Sequence, residues 1–153
     1  CMQKERFDRF LLPKYMEAGI KIFATCRGMQ SMYVVFGGKL NQHMYHETNP
    51  SNDGGKLMHG INFENQHIVP GFAEVTQHKP GEYKINSRHH QTVNEETKPE
   101  IVTILARHST DGEIEFATTY PFYPCHLSQH HVEDTSDPAT VFLINHLLNL
   151  NDE

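Results

Sequence analysis

The sequence predicts an α/β domain, and three observations carry that expectation. A short apolar strand runs directly into a cysteine and a helix over Lys21-Ile22-Phe23-Ala24-Thr25-Cys26-Arg27-Gly28-Met29-Gln30. The second half of the chain is rich in β-forming residues separated by turn signals. The last segment opens with Asp137-Pro138, a helix start, and carries an apolar stripe suited to packing on a sheet.

Taken in order, Phe7, Phe10, Leu11, Tyr15 and Ala18 fall on one face of a first helix that ends near Gly19, with Pro13 either kinking it or marking a late start. Ile22 and Phe23 suit a buried strand. Met29, Met32, Tyr33 and Phe36 then recur at helical spacing until Gly37-Gly38 supplies the stop. Residues 39 to 66 show little periodicity and read as a long irregular surface segment, of the kind that is usually functional in a compact domain. Strands are expected at His67-Ile68-Val69-Pro70-Gly71, Tyr83-Lys84-Ile85-Asn86-Ser87 and 101–106, and Asp111-Gly112 makes a hairpin turn into Ile114-Glu115-Phe116-Ala117. Val141, Phe142, Ile144, Leu147 and Leu148 form the stripe of the closing helix.

Composition narrows the class. With 153 residues and 37% hydrophobic content the chain supports one core, and 1–153 reads as a single domain. A net charge of −6 disfavours phosphate backbones and anionic bilayers, so neither a nucleic acid nor a membrane is an expected partner. No apolar run spans a bilayer and the first residues lack the layout of a secretion signal, which makes the cytoplasm the expected compartment. Cys1, Cys26 and Cys125 form no CxxC pair, so reduced thiols are expected rather than a disulfide framework. Cys1 as an N-terminal nucleophile finds no support in the polar residues after it, and a fragment boundary reads better. The twelve histidines, among them His43, His46, His89, His90, His126, His130 and His131, are scattered without accompanying ligand motifs, and no metal or other cofactor is expected.

Cys26 falls on the turn between strand and helix, where Ala24 and Gly28 are the small neighbours a sharp turn needs. The unpaired N–H groups and positive dipole end of the helix favour thiolate over thiol, and the Arg27 N–H could stabilise an oxyanion. On this pattern alone, a nucleophile and a buried structural cysteine both remain open. A cysteine nucleophile needs an imidazole and a group to orient it. Gln129-His130-His131-Val132-Glu133 offers both, since in an extended segment His131 and Glu133 face the same side; taken alone, that pattern also fits a solvated strand edge.

Three separated motifs resemble the class I glutamine amidotransferase superfamily, and within it the gamma-glutamyl-gamma-aminobutyrate hydrolase branch, peptidase family C26. These are Cys26-Arg27-Gly28-Met29-Gln30 with Gly37-Gly38-Lys39-Leu40, then Asn86-Ser87-Arg88-His89-His90-Gln91 with the Asp111-Gly112 turn, and Gln129-x-His131-x-Glu133. A loose match at Lys4-Glu5-Arg6-Phe7-Asp8 extends the resemblance over nearly the whole chain. It implies a flavodoxin-like three-layer sandwich with a mostly parallel sheet, and a Cys26–His131–Glu133 triad that hydrolyses gamma-glutamyl amides of small molecules through a glutamyl-thioester. By the same resemblance Gln30, Ser87 and His89 line the glutamyl pocket, with Arg27 and Gly28 on the oxyanion side.

The chain departs from the family pattern at Ala24, where the family has glycine, and at His130 and Val132, where it has tryptophan and proline. His130 leaves open which imidazole faces the cysteine, and register with Glu133 favours His131. Cys125 reads as structural. The strands that precede the nucleophile strand in the family, with a glycine-rich loop supplying a second oxyanion donor, are absent from this chain. The chain is then part of a longer product, or a partner chain or second copy covers the open sheet edge, or it is a reduced relative. Two alternative functions follow: an ammonia-supplying subunit of a synthetase, and a non-catalytic remnant that works by binding or assembly.

Overall fold

Central strands buried at every position, with apolar residues on both faces, decide the architecture of the computed structural model, which describes residues 3, 6–42, 58–86, 91–132 and 137–149. A π-helical turn (Phe7–Leu11) leads into α1 (Leu12–Glu17), β1 (Ile22–Thr25), α2 (Arg27–Val35), β2 (Leu40–Asn41) and β3 (Met58–Phe63). There follow a 3-10 turn (Gln66–Ile68), α3 (Phe72–Val75), β4 (Tyr83–Asn86), β5 (Thr92–Val93), a second 3-10 turn (Glu95–Thr97), β6 (Thr103–His108), β7 (Ile114–Thr118), β8 (Cys125–Ser128) and α4 (Pro138–Asn149).

Six strands form one sheet in the order β1-β8-β7-β6-β3-β4, and β2 pairs with β5 in a small separate ribbon. Ala24, Ile104, Ala117, Cys125 and Leu127 meet Met29, Met32 and Tyr33 of α2 in one core. Ile61, Ile85, Leu105 and Phe116 meet Phe72 of α3 and Ala139 and Leu143 of α4 in the other. Successive residues such as Ile104 and Leu105 enter different cores, as the period-two geometry of a strand requires. The result is the expected α/β sandwich of helix, sheet and helix. Among the described residues, parallel pairing is confined to β1 and β8. The other four adjacent pairs of this sheet are antiparallel, and for β6 and β7 the short connection from His108 to Ile114 permits nothing else.

Several local expectations change in tertiary context. The segment 39–66 contains β3, whose ladders to β4 and β6 supply the order that its own composition does not signal; residues 43–57 lie outside the described residues. The strand expected at 67–71 is instead the end of a 3-10 turn followed by a reversal at Gly71 (φ 82°). Pro70 offers no N–H to a ladder, and Gly71 takes the left-handed conformation that starts α3. β8 was not among the strands expected; all four residues of Cys125-His126-Leu127-Ser128 are buried, which is the condition of a strand covered on both faces.

Pro13 sits in the first turn of α1 directly after the π-helical turn, so the helical run begins before it, and the proline marks a local change of helix geometry rather than a late start. Phe7, Phe10, Leu11 and Tyr15 are exposed, and Met16 is the buried residue of α1. In α4 the buried residues are Ala139, Thr140 and Leu143, while Val141 and Leu148 are exposed. The run of apolar residues there is nearly continuous, so the sheet beneath, rather than periodicity, selects the inward face. Asp137 caps α4 as expected, its Oδ1 accepting the Thr140 N–H at 2.8 Å. Gly38 is required after α2 because a Cβ at that position would enter the Tyr33 ring.

His126 is fully buried on β8, with Nδ1 2.7 Å from Thr118 Oγ1 and its ring 5.8 Å from that of His146 on α4. Burial, reinforced by His146, holds this imidazole down at about 3. The unfolded chain takes up that proton near the ordinary value of about 6.5. The contribution of neutral His126 is therefore complete above that value and is lost as pH falls toward the folded value, at no more than about 1.4 kcal/mol per pH unit. Urea titrations between pH 7.5 and 4.5 should show the unfolding midpoint falling more steeply in the wild-type chain than in His126→Leu.

Candidate active site

Cys26 has φ 50° and ψ −110°, a conformation rare for a residue with a Cβ. Two hydrogen bonds hold it: its N–H donates to the Ser128 carbonyl at 2.7 Å, and its own carbonyl accepts the Gln30 N–H at 3.2 Å. The first continues the β1–β8 ladder by one rung, and the second begins α2, so strand and helix share this residue. A Cβ placed on Gly28 would lie 3.6 Å from the Ala24 Cβ, an ordinary contact. Ala24 is thus accommodated in the place of the family's glycine. Arg27 and Gly28 open α2, and their N–H groups belong to the turn that has no helical acceptors.

The β1–β8 register pairs Thr25 with Ser128, so Gln129, His130 and His131 leave the sheet at the same end as Cys26. Gln129 is anchored by its N–H to the Glu115 carbonyl at 2.8 Å. His130 turns into the core toward α4: Nδ1 lies 2.6 Å from Ser128 Oγ, Nε2 lies 3.2 Å from Thr140 Oγ1, and the ring stands edge-on to Phe116. That ring is fully buried and already engaged. His131 is half-buried, and its main chain is bonded on both sides to the Asn86 side chain, N–H to Oδ1 at 2.9 Å and carbonyl to Nδ2 at 2.9 Å. Over its described part, 129–132, the expected extended run does not form, since β8 ends at Ser128 and Val132 lies in a 3-10 turn. Glu133, Ser87 and His89 lie outside the described residues.

Gln30 is buried on the inner side of α2. Its Nε2 donates to the Gln91 carbonyl at 2.8 Å and to Gln129 Oε1 at 3.3 Å. Both partners are acceptors, which orients the amide nitrogen inward. One side chain thereby joins residues from all three sequence motifs. Sequence reasoning quoted Asn86, Gln91 and Gln129 within those motifs but assigned them no role; their polarity beside candidate catalytic residues was the available signal. Glu115 of the turn motif is buried with a carboxylate oxygen 3.4 Å from His59 Nε2. Burial, then the charges of Asp111 and Glu113, push this carboxyl well above its ordinary range. Cys125 is buried, and desolvation pushes its thiol up to about 12, as befits a structural residue. Among the described residues no three His, Cys, Asp or Glu side chains converge as a metal site. Nor is any described helix long and apolar enough to cross a membrane.

A cysteine at a strand-to-helix elbow, flanked by a parallel strand that delivers histidine to the same end of a three-layer sheet, defines a class I glutamine amidotransferase-like domain. Residues 2–133 match the family model described as Peptidase C26, and the chain belongs to that family. It is 29% identical over 117 residues to the glutamine amidotransferase-like protein YvdE of Lactococcus lactis, covering 73% of this chain and 46% of that protein. To protein NtpR of Enterococcus hirae it is 31% identical over 104 residues, covering 61% of this chain and 40% of NtpR. The fold is similar to that of a glutamine amidotransferase from Thermotoga maritima, with a TM-score of 0.61, 17% identity, and coverage of 86% of this chain and 47% of that one. The chain spans about half the length of these relatives.

The two described thiols should differ in reactivity. Iodoacetamide at pH 7.5 is expected to label Cys26 and spare Cys125 in the folded protein, and to label both in urea; peptide mass mapping reads the difference.

Proposed function

We propose that this chain carries the nucleophile, base and glutamyl-pocket residues of a gamma-glutamyl amide hydrolase, with Cys26, His131 and Glu133 as its triad. The observation that carries the reading is the backbone of Cys26, held in a strained elbow at the start of α2 beside the strand that leads to His131. Such strain at a non-glycine residue is a cost that functional sites retain. The engagement of His130 with Ser128 and Thr140 supports His131 as the base.

In this mechanism the Cys26 thiolate attacks the gamma-carbonyl carbon, and the N–H groups of Arg27 and Gly28 stabilise the oxyanion that forms. The carbon–nitrogen bond breaks as protonated His131 gives its proton to the leaving amine, which leaves a glutamyl-thioester on Cys26. His131 then takes a proton from water, hydroxide adds to the thioester, and glutamate departs as the thiol is restored. Glu133 orients His131 throughout. Gln30, with its amide nitrogen occupied by Gln91 and Gln129, offers Oε1 as an acceptor to the alpha-ammonium group of the substrate, and Ser87 and His89 complete the glutamyl pocket. No cofactor takes part, and a reducing cytoplasm would suit the nucleophilic thiol.

The outer side of β1 has no strand partner among the described residues, and Phe7, Phe10, Leu11 and Tyr15 leave an exposed apolar surface on the first helical segment. A further segment, a second copy or a partner chain lying along β1 would cover this side and supply the second oxyanion donor. The same open side favours one second reading, in which the ammonia released at Cys26 is passed to a synthetase bound there.

Release of glutamate from gamma-glutamyl amides tests the first reading. Cys26→Ala should abolish it, and His131→Ala should lower kcat about 10²–10⁴-fold. Hydrolysis that survives Cys26→Ala would remove Cys26 from the mechanism, and a sharp rise in glutaminase activity on adding a co-purifying synthetase would favour the second reading.

A further inference from the structure

We propose that Asn86 is a positioning residue that clamps the main chain of His131 and thereby sets where the base stands. The inference rests on His131 being the base. Asn86 is the last residue of β4, is 5% exposed, and immediately precedes Ser87. In the sheet order β4 stands four places from β8, which in a flat sheet would separate them by about 19 Å, four strand spacings. Asn86 nevertheless meets a residue only three positions past the end of β8. Two features shorten the gap. The chain crosses the end of β7, where Gln129 bonds to Glu115, and register shifts between β6 and β7 add curl to the sheet.

The contact uses both ends of the Asn86 amide. Oδ1 accepts the His131 N–H and Nδ2 donates to the His131 carbonyl, each at 2.9 Å, so the side chain pairs with one residue as a neighbouring strand would. A planar group with donor and acceptor side by side is needed, and among side chains of this length only asparagine has one. Aspartate keeps the acceptor and loses the donor; alanine loses both. The clamp acts on the main chain of His131, not on the ring that would transfer the proton. A site that works by positioning loses rate when such a support goes, since a displacement of about 1 Å can cost about 100-fold.

The test compares wild type, Asn86→Ala, Asn86→Asp and His131→Ala of the full chain in two assays. One is hydrolysis of a gamma-glutamyl anilide, and the other is the pH profile of Cys26 alkylation by iodoacetamide, followed by peptide mass mapping. Asn86→Ala is expected to lower kcat about 10- to 100-fold with KM within about threefold. Its Cys26 profile should move toward that of an isolated thiol, near about pH 8.5, as in His131→Ala. Asn86→Asp should fall between it and wild type, and decides the matter if the alanine variant does not fold. A folded Asn86→Ala or Asn86→Asp with wild-type kcat and alkylation profile overturns the clamp, as does a loss confined to KM. Should His131→Ala leave both readouts unchanged, the assignment of the base fails and the clamp fails with it; should His131→Ala change them while the Asn86 variants do not, the clamp alone fails.

Discussion

The parallel pairing of β1 with β8 is the constraint on which the site depends. Parallel strands end at the same edge of a sheet, so the register of Thr25 with Ser128 brings the start of α2 and the segment 129–131 together, although about a hundred residues separate them in the chain. An antiparallel pair would send them to opposite ends. The pairing also holds the elbow: the Cys26 N–H extends the ladder to Ser128, and this bond helps offset a backbone conformation that costs about 1–3 kcal/mol. β8 can bear this role because all four of its residues are buried, Cys125 and Leu127 against α2 and His126 and Ser128 toward α4.

Around that end of the sheet the interior is polar, and several of its buried polar groups are placed by hydrogen bonds. An unpaired buried amide or hydroxyl costs about 1–3 kcal/mol, so such groups select particular neighbours where apolar packing would accept several. Gln30 joins α2 to Gln91 and Gln129, and Ser128, His130 and Thr140 join β8 to α4. Asn86 joins β4 to His131. These bonds send two adjacent histidines to different surroundings. His130 belongs to the core between sheet and α4, and His131 emerges at the end of the sheet where Cys26 lies.

Much of this was legible in the sequence where the signal is local. The strand, cysteine and helix around Cys26 follow from a short apolar run, small neighbours and helical spacing, and the cap of α4 follows from Asp137-Pro138. The family was legible from three motifs in order. Less legible were elements whose reason lies elsewhere in the chain. Met58–Phe63 looks irregular until β4 and β6 flank it, and Cys125–Ser128 looks like a connection until both of its faces are covered. The inward faces of α1 and α4 differ from the apolar stripes for the same reason: a helix buries what its neighbours cover, and Phe10 and Leu148 have no such cover.

By itself, then, the sequence determined an α/β domain of the Peptidase C26 family with its cysteine at a turn, because propensity, capping and motif spacing act over a few residues. Which histidine enters the core, how the amide of Gln30 is oriented, and that Asn86 grips His131 were decided only by the tertiary structure. Those are contacts between strands and loops distant in the chain, and their register depends on the curl of the whole sheet and on the hydrogen bonds formed at its end.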